Sequence, residues 1–396
     1  MTLTDGRLDL VDLATPRPGP GQLLLKVVRC GICGSDLHAR HHADELAEVL
    51  DLCGYPRYLR SHQSVVLGHE LYGEVVDRGP ATIGRIKPGT PVVAIPLVRR
   101  DRQVDGIGLS AAAPGGYAEH VVVQEALALP VPNGLGADLA ALTEPVAVAW
   151  HAVARAELTR KDVAIVLGSG PVGLAVIAVL KARGVATVVA SDLSAGRRSL
   201  ATSCGADIVV DPATESPWDA CADRGFVTAM PSEYNAGIDA LESMARLPLG
   251  RWAAWRLLDR IGATRPKRPV VFECVGVPGM IDSLVAAAPL HSRIVVVGVC
   301  MGTDAFRPAL AVNKELDLRF VVGYSPLEFR DSLHALAEGT IEASPIVTGR
   351  VGLSAVPTAF TALANPGTHA KLLIDPSVDT DQIIPGCPGR GDPGTR

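Results

Sequence analysis

Residues 163–192 constrain the fold more than any other stretch. Val163–Leu167 reads Val-Ala-Ile-Val-Leu and is bounded by Gly168. Five apolar residues are too few for a helix and predict a buried parallel strand. Gly168, Gly170 and Gly173 follow at G-x-G-x-x-G spacing, with Pro171 and Val172 inside the loop. Gly168 permits the tight turn, Gly170 lets the backbone approach a pyrophosphate, and Gly173 lets a helix lie close to the strand. That helix aims its free N–H groups at the phosphates. Leu174, Ile177, Val179 and Leu180 form its buried face, and Gly184 ends it. Residues 185–190 predict a second strand ending at Ser191-Asp192. Asp192 stands 24 positions after Gly168, where a dinucleotide fold places the carboxylate that binds the ribose 2′-OH. A carboxylate there repels a 2′-phosphate, so the expected cofactor is NAD. Arg197 and Arg198 pull the other way, since an arginine nearby can accept that phosphate.

The rest of the chain sets bounds. Its 396 residues suit about two domains, and 48% are hydrophobic, enough for large cores. A net charge of −5 with no basic stripe argues against a nucleic-acid partner. No run approaches the ~18 apolar residues of a membrane span. The first residues lack the basic and apolar regions of a signal peptide. The eight cysteines are mostly isolated, which fits a reducing cytoplasm better than a disulfide framework.

Two short segments carry potential metal chemistry. One is Cys30-Gly31-Ile32-Cys33-Gly34-Ser35-Asp36-Leu37-His38, after a strand expected at 23–28. The other is Val65-Val66-Leu67-Gly68-His69-Glu70. A Cys and a His on separate segments can converge as metal ligands. The Cys30–Cys33 spacing also suits a redox pair or half a zinc knuckle. No second C-x-x-C exists, which excludes a four-cysteine site.

Together with Gly115-Gly116-Tyr117-Ala118-Glu119, Thr143-Glu144-Pro145, the glycine loop and Glu273-Cys274-Val275-Gly276, these segments resemble the zinc-dependent medium-chain alcohol and polyol dehydrogenases, near the sorbitol and threonine dehydrogenase branch. The resemblance covers about residues 20–375. It implies one catalytic zinc held by Cys33 and His69, with Glu70 and Glu144 as the acids that bind or approach it. Cys30 is then a core residue. Asp36 corresponds to the acid that orients the histidine ligand. Ser35 and His38 correspond to a proton relay leading from the alcohol, through the nicotinamide ribose, to solvent. Gly276 and Val299 fall beside the cofactor. The partners implied are a small alcohol or its ketone and further copies of the chain, as a dimer or tetramer.

Three segments depart from that family. Cys33 and His69 are 36 positions apart, and the excess predicts a loop or helix at 43–64. Tyr55, Arg57, Tyr58 and Arg60 there are candidate substrate contacts. Residues 97–114, where the family often carries four cysteines around a structural zinc, contain none, so no structural zinc is expected. Between Asp211 and Val270 lie 58 residues, more than a crossover helix needs. They hold three of the four tryptophans, and Ile238, Leu241, Met244 and Leu247 recur at three-residue steps. An added helical hairpin is expected over 212–268, set on a partner subunit or over the cleft.

The expected fold is α/β. A GroES-like, β-rich catalytic domain comes from 1–147 and 324–375. A doubly wound Rossmann domain spans 148–323, and a flexible tail runs over 376–396. The expected reaction is oxidation of a secondary alcohol by NAD. A zinc-free enone or quinone reductase of the same fold, and a non-catalytic NAD-binding sensor or scaffold, are the rivals.

Overall fold

The dinucleotide-binding pattern folds as read. In the computed structural model, which describes residues 1–386 apart from 249, 366 and 368, six parallel strands form one sheet. Their order is Ile208–Val210, Thr187–Ser191, Val163–Leu167, Val270–Glu273, Arg293–Val296 and Asp317–Phe320. Chain order within the sheet is therefore 3-2-1-4-5-6, the doubly wound arrangement whose ligand crevice lies at the carboxyl ends of the strands. Alternate residues of the central strands enter two different cores. Ile165, Val189, Val271 and Ile294 face one layer, while Val166, Val188, Phe272 and Val295 face the other. Burial on both faces explains the unbroken apolar runs.

The second sheet is antiparallel in its larger part and is built from both ends of the chain. Gln22–Gly31 pairs with Glu70–Arg78, with His120–Gln124 and with Lys371–Ile374. Lys371–Ile374 runs parallel to Val347–Val351. Residues 115–119 are a loop that leads into strand His120–Gln124. One expectation shifts here. The tail expected from 376 starts too early, because Ile384–Pro385 pairs with Val347–Val351. Residues 387–396 lie outside the described residues.

Helix Thr143–Ala156 crosses the expected boundary at 147 without a break. Its Ala147 packs with Val93, Ile95 and Phe329, while Val146, Ala149 and Val153 enter the dinucleotide core. Residues 335–346 also enter that core, whereas Tyr324, Phe329 and Leu333 pack with Val93 and Ile95 of the second sheet, so the chain touches both cores before it joins that sheet as strand Val347–Val351.

The three departing segments take definite forms. Helix Gly34–Leu52 fills the first, bent at His42. The hairpin Leu97–Arg100 and Gln103–Gly106 fills the second. Helices Met230–Met244 and Arg251–Arg260 make the third a helical hairpin. Among the described residues, no helix is long and apolar enough to cross a membrane.

Candidate active site

The metal-type residues come from three places. Cys33 precedes helix Gly34–Leu52, which carries Ser35, Asp36 and His38. His69 sits at the turn into strand Glu70–Arg78. Glu144 lies in the first turn of helix Thr143–Ala156. Ligand atoms of Cys33, His69 and Glu70 all lie within 4.8 Å of one another. Zinc bonds of about 2.0–2.3 Å require donor separations of about 3.3–3.8 Å, so shifts of about 1 Å or less would let this trio hold a single ion. Glu144 does not join that mutually close set.

The surroundings orient the donors. Asp36 is fully buried, and its Oδ1 stands 3.5 Å from His69 Nδ1. Its Oδ2 accepts from the Cys33 N–H at 2.9 Å and from the Tyr117 hydroxyl at 2.6 Å. Asp36 thus faces the Nδ1 side of His69, though neither Oδ1 nor Nδ1 has a hydrogen-bond partner among the described residues, and Nε2 lies 3.3 Å from Ser35 Oγ. Burial alone would lower the His69 imidazole pKa, but Asp36 and Cys33 outweigh it and raise it. A site whose neighbours pull positive charge onto the imidazole is one built for a cation.

Glu70 has a second attachment. Lys371, itself buried, places Nζ 2.6 and 2.8 Å from the two Glu70 oxygens and donates to the Ile32 carbonyl at 2.8 Å. Burial raises the Glu144 carboxyl pKa, His69 opposes this, and the Glu70 carboxylate adds to it. Tyr117 and Lys371 are positioning groups the sequence reading did not single out as site residues. Tyr117 had a signal, since it stands in the Gly-Gly-Tyr motif. Lys371 had only its charge inside an apolar strand.

Glycines let the loops meet. A Cβ on Gly115 would lie 2.4 Å from the Gly68 carbonyl oxygen. The 115–117 backbone bonds to Val66, Gly68 and Leu67, holding the turn that presents His69. Cys30 is wholly buried beneath this junction.

The substrate contacts expected in the 55–60 segment are not free for that role. Arg57 makes a double hydrogen bond to buried Asp105 at 2.6 and 2.9 Å. The Tyr55 hydroxyl accepts from the Gly106 N–H, and Arg60 pairs with Asp51. Tyr58 is sealed inside, its hydroxyl without a partner among the described residues. A hollow of about 540 Å³ lies among residues 3–6, 39–45 and 59–63. It includes none of the metal-type residues.

The residues expected to bind the cofactor gather at the carboxyl ends of the parallel strands. Gly168 has φ +86°, which an L side chain resists. A Cβ on Gly173 would meet the Gly168 carbonyl oxygen at 1.9 Å, whereas one on Gly170 would meet nothing within 4 Å. Gly173 therefore serves close packing and Gly170 an open approach. Pro171 and Val172 open helix Pro171–Ala182. Asp192 accepts from the Ser169 and Ser194 N–H groups, both at 2.8 Å. Arg198 is tied to Asp211 and to the Asp192 and Leu193 carbonyls. Arg197 keeps a buried Nε with no partner among the described residues. Gly276, at φ +69°, lies so close to Val299 that a Cβ would come within 2.8 Å of its backbone. Leu193, Val275, Val277 and Val299 are exposed at these strand ends, as the lining of a crevice for flat rings would be.

Comparison with known proteins agrees with this arrangement. Residues 19–133 match the alcohol dehydrogenase GroES-like domain. (R,R)-butanediol dehydrogenase of Bacillus subtilis (strain 168) is 30% identical over 373 residues, covering 91% of this chain and 94% of its own. Sorbitol dehydrogenase of Bos taurus is 27% identical over 385 residues, covering 94% of each. The crystal structure of the 2R,3R-butanediol dehydrogenase from Bacillus subtilis superposes with a TM-score of 0.71 at 28% identity, covering 95% of this chain and 98% of its own. Similarity that extends through both sheets, and not only the GroES-like part, makes this chain a member of the zinc-dependent medium-chain dehydrogenases.

Proposed function

We propose that this chain is a zinc-dependent dehydrogenase that oxidises a secondary alcohol, a diol or polyol above all, to the ketone with NAD. The observation that carries the reading is the mutual approach of Cys33, His69 and Glu70 within 4.8 Å, beside Ser35. Relatives named for butanediol and sorbitol support the substrate class. A zinc-free reductase would have no use for this cluster of thiol, imidazole and carboxylate.

Cys33, His69 and Glu70 hold the zinc, and Glu144 stands next to them. When bound, zinc supplies Lewis acidity toward the carbinol oxygen, and NAD supplies the hydride acceptor. The chain's own residues supply orientation and proton transfer. Ser35 Oγ takes the hydroxyl proton. His38 lies three residues on, along the same helical face, and passes it outward. Burial and the neighbouring His42 lower the His38 pKa, which keeps it neutral and able to accept. Asp36 fixes the His69 ring, and Lys371 balances the Glu70 charge. Gly168, Gly170, Pro171, Val172 and Gly173 cradle the pyrophosphate, and Asp192 with Arg197 holds the adenosine ribose. Gly276 and Val299 flank the nicotinamide end.

The enzyme works in the cytoplasm as a homo-oligomer in this reading. Strand Asp317–Phe320 ends the six-stranded sheet with a free edge, and exposed Phe320 and Val322 beside it suit continuation into a second copy.

Metal content and turnover test the reading together. Untagged protein should carry close to one zinc per chain and reduce NAD with a panel of vicinal diols and polyols. Cys33→Ala should lose both properties. Turnover by a zinc-free Cys33→Ala protein would overturn the mechanism.

A further inference from the structure

The helical hairpin of the 212–268 insertion contributes little to its own fold. Helix Met230–Met244 has no fully buried residue, and Arg251–Arg260 has one, Ala254. The hairpin is moored at the amino ends of the strands. Glu233 meets His291 Nε2 at 2.8 Å, and the Leu290 N–H donates to the Val227 carbonyl, just before strand Arg293–Val296 begins. The cofactor residues Gly168, Asp192 and Gly276 occupy the opposite, carboxyl ends. The hairpin is therefore no lid over the cleft.

Its outer surface is apolar and charged at once. Tyr234 and Ile238, one helical turn apart, and Trp252, Leu257 and Ile261 are each more than half exposed. Between residues 246 and 268 lie seven Arg or Lys against Asp259, a net +6. The whole chain is −5, so the remainder is −5 − 6 = −11. Among the described residues none of these seven cations has an ion-pair partner. The adjoining helix carries Asp239 and Glu242, exposed and likewise unpaired. Acid lies on one helix and base on the next, beside an apolar pair one turn apart on each, Tyr234–Ile238 and Leu257–Ile261, with Trp252 on the other face of the second helix.

We infer that this hairpin docks against the same hairpin of a second copy of the chain. A two-fold axis sets the acidic helix of each copy on the basic helix of the other, and the four helices bury their apolar pairs together. The contact is separate from the sheet edge at Asp317–Phe320. An anionic membrane is the less suitable occupant, because the −11 remainder of the chain is repelled by it. Helices of 15 and 10 residues are about 22 and 15 Å long. Side by side they offer a face of roughly 400 Å², about half of what each partner buries in a free-standing interface. Charge complementarity must make up the difference, so the contact should weaken with salt.

Sedimentation velocity at 50 and 500 mM salt tests this. Arg251→Glu/Arg256→Glu/Arg260→Glu reverses the basic helix, and Asp239→Lys/Glu242→Lys reverses the acidic one. The wild-type chain should lose half its mass at high salt. Each reversal should halve the mass at low salt while leaving turnover unchanged. Mixing the two variants should restore the full mass, since each then carries the complement of the other. Unchanged mass in either variant, or a mixture that does not recover, overturns the inference. Should a reversal variant not fold, the wild-type salt series decides, and one mass at both salts overturns it. Salt-insensitive mass together with co-sedimentation on 30% phosphatidylserine vesicles would also overturn it, in favour of the membrane.

Discussion

Single side chains set the chemistry through what holds them. Asp192 spends both carboxylate oxygens on backbone N–H groups, so its position is set before any ligand arrives. Asp192→Ala should raise the KM for NAD about tenfold or more, the worth of a charged hydrogen bond. The KM for NADP should fall, because the repulsion is gone and the Arg197 Nε has no competing partner among the described residues. Paired initial-rate measurements with the two cofactors check this. An enzyme that already prefers NADP would refute the reading. Ser35→Ala removes the hydroxyl 3.3 Å from His69 Nε2. It should cost about 10²–10⁴ in kcat, the span of general acid–base catalysis, while zinc content stays at one per chain. Loss of zinc along with activity would assign Ser35 to the metal site's structure rather than to proton transfer.

At the level of elements, the segments that part from the family replace what they omit. The hairpin Leu97–Arg100 and Gln103–Gly106 contains no cysteine, and it is fastened to the 53–64 loop by Arg57–Asp105 and by the Tyr55 hydroxyl. Burial alone would raise the Asp105 pKa, but bonds from Arg57 and Ser110 outweigh it and hold it below the usual carboxylate range. A depressed native pKa adds stability that is complete above the unfolded value near 3.9 and is lost as pH falls through the native one. Asp105→Asn should lower the thermal midpoint by roughly 3–8 °C at pH 7. That gap should persist down to about pH 4 and close below it. Thermal melts across pH 3–7 would show it, and a gap that widened in acid would refute the assignment. The sequence made this hairpin's lack of cysteine plain. It could not reveal the pairing, because Arg57 and Asp105 are 48 positions apart and either could have been an ordinary surface charge.

Across the whole molecule, legibility followed locality. The six parallel strands were readable because each is a short apolar run buried on both faces, and the glycine loop because its three glycines meet three separate steric demands. Cys33, Ser35, Asp36, His69 and Glu70 were readable because family motifs keep them within short stretches. Contacts made at long range were not. The Tyr117 hydroxyl reaches Asp36 across 81 positions, and Lys371 reaches Glu70 across 301. The 55–60 side chains were misjudged for the same reason, since their partners come from residues 51 and 105–106.

The Lys371 contact has a consequence for the order of events in biosynthesis. Cys33, His69 and Glu70 leave the ribosome early, whereas the cation that balances Glu70 and clasps the Ile32 carbonyl arrives some 300 residues later. Until then the nascent chain exposes a thiol, an imidazole and an uncompensated carboxylate, with neither the strand Lys371–Ile374 nor the lysine that closes over them. At roughly 5–20 residues per second, that interval lasts on the order of 15–60 seconds. The nascent catalytic half must therefore pass this interval with an open, reactive metal-binding trio. Completion of the site is tied to completion of the chain, because the lysine that balances Glu70 is among the last residues made.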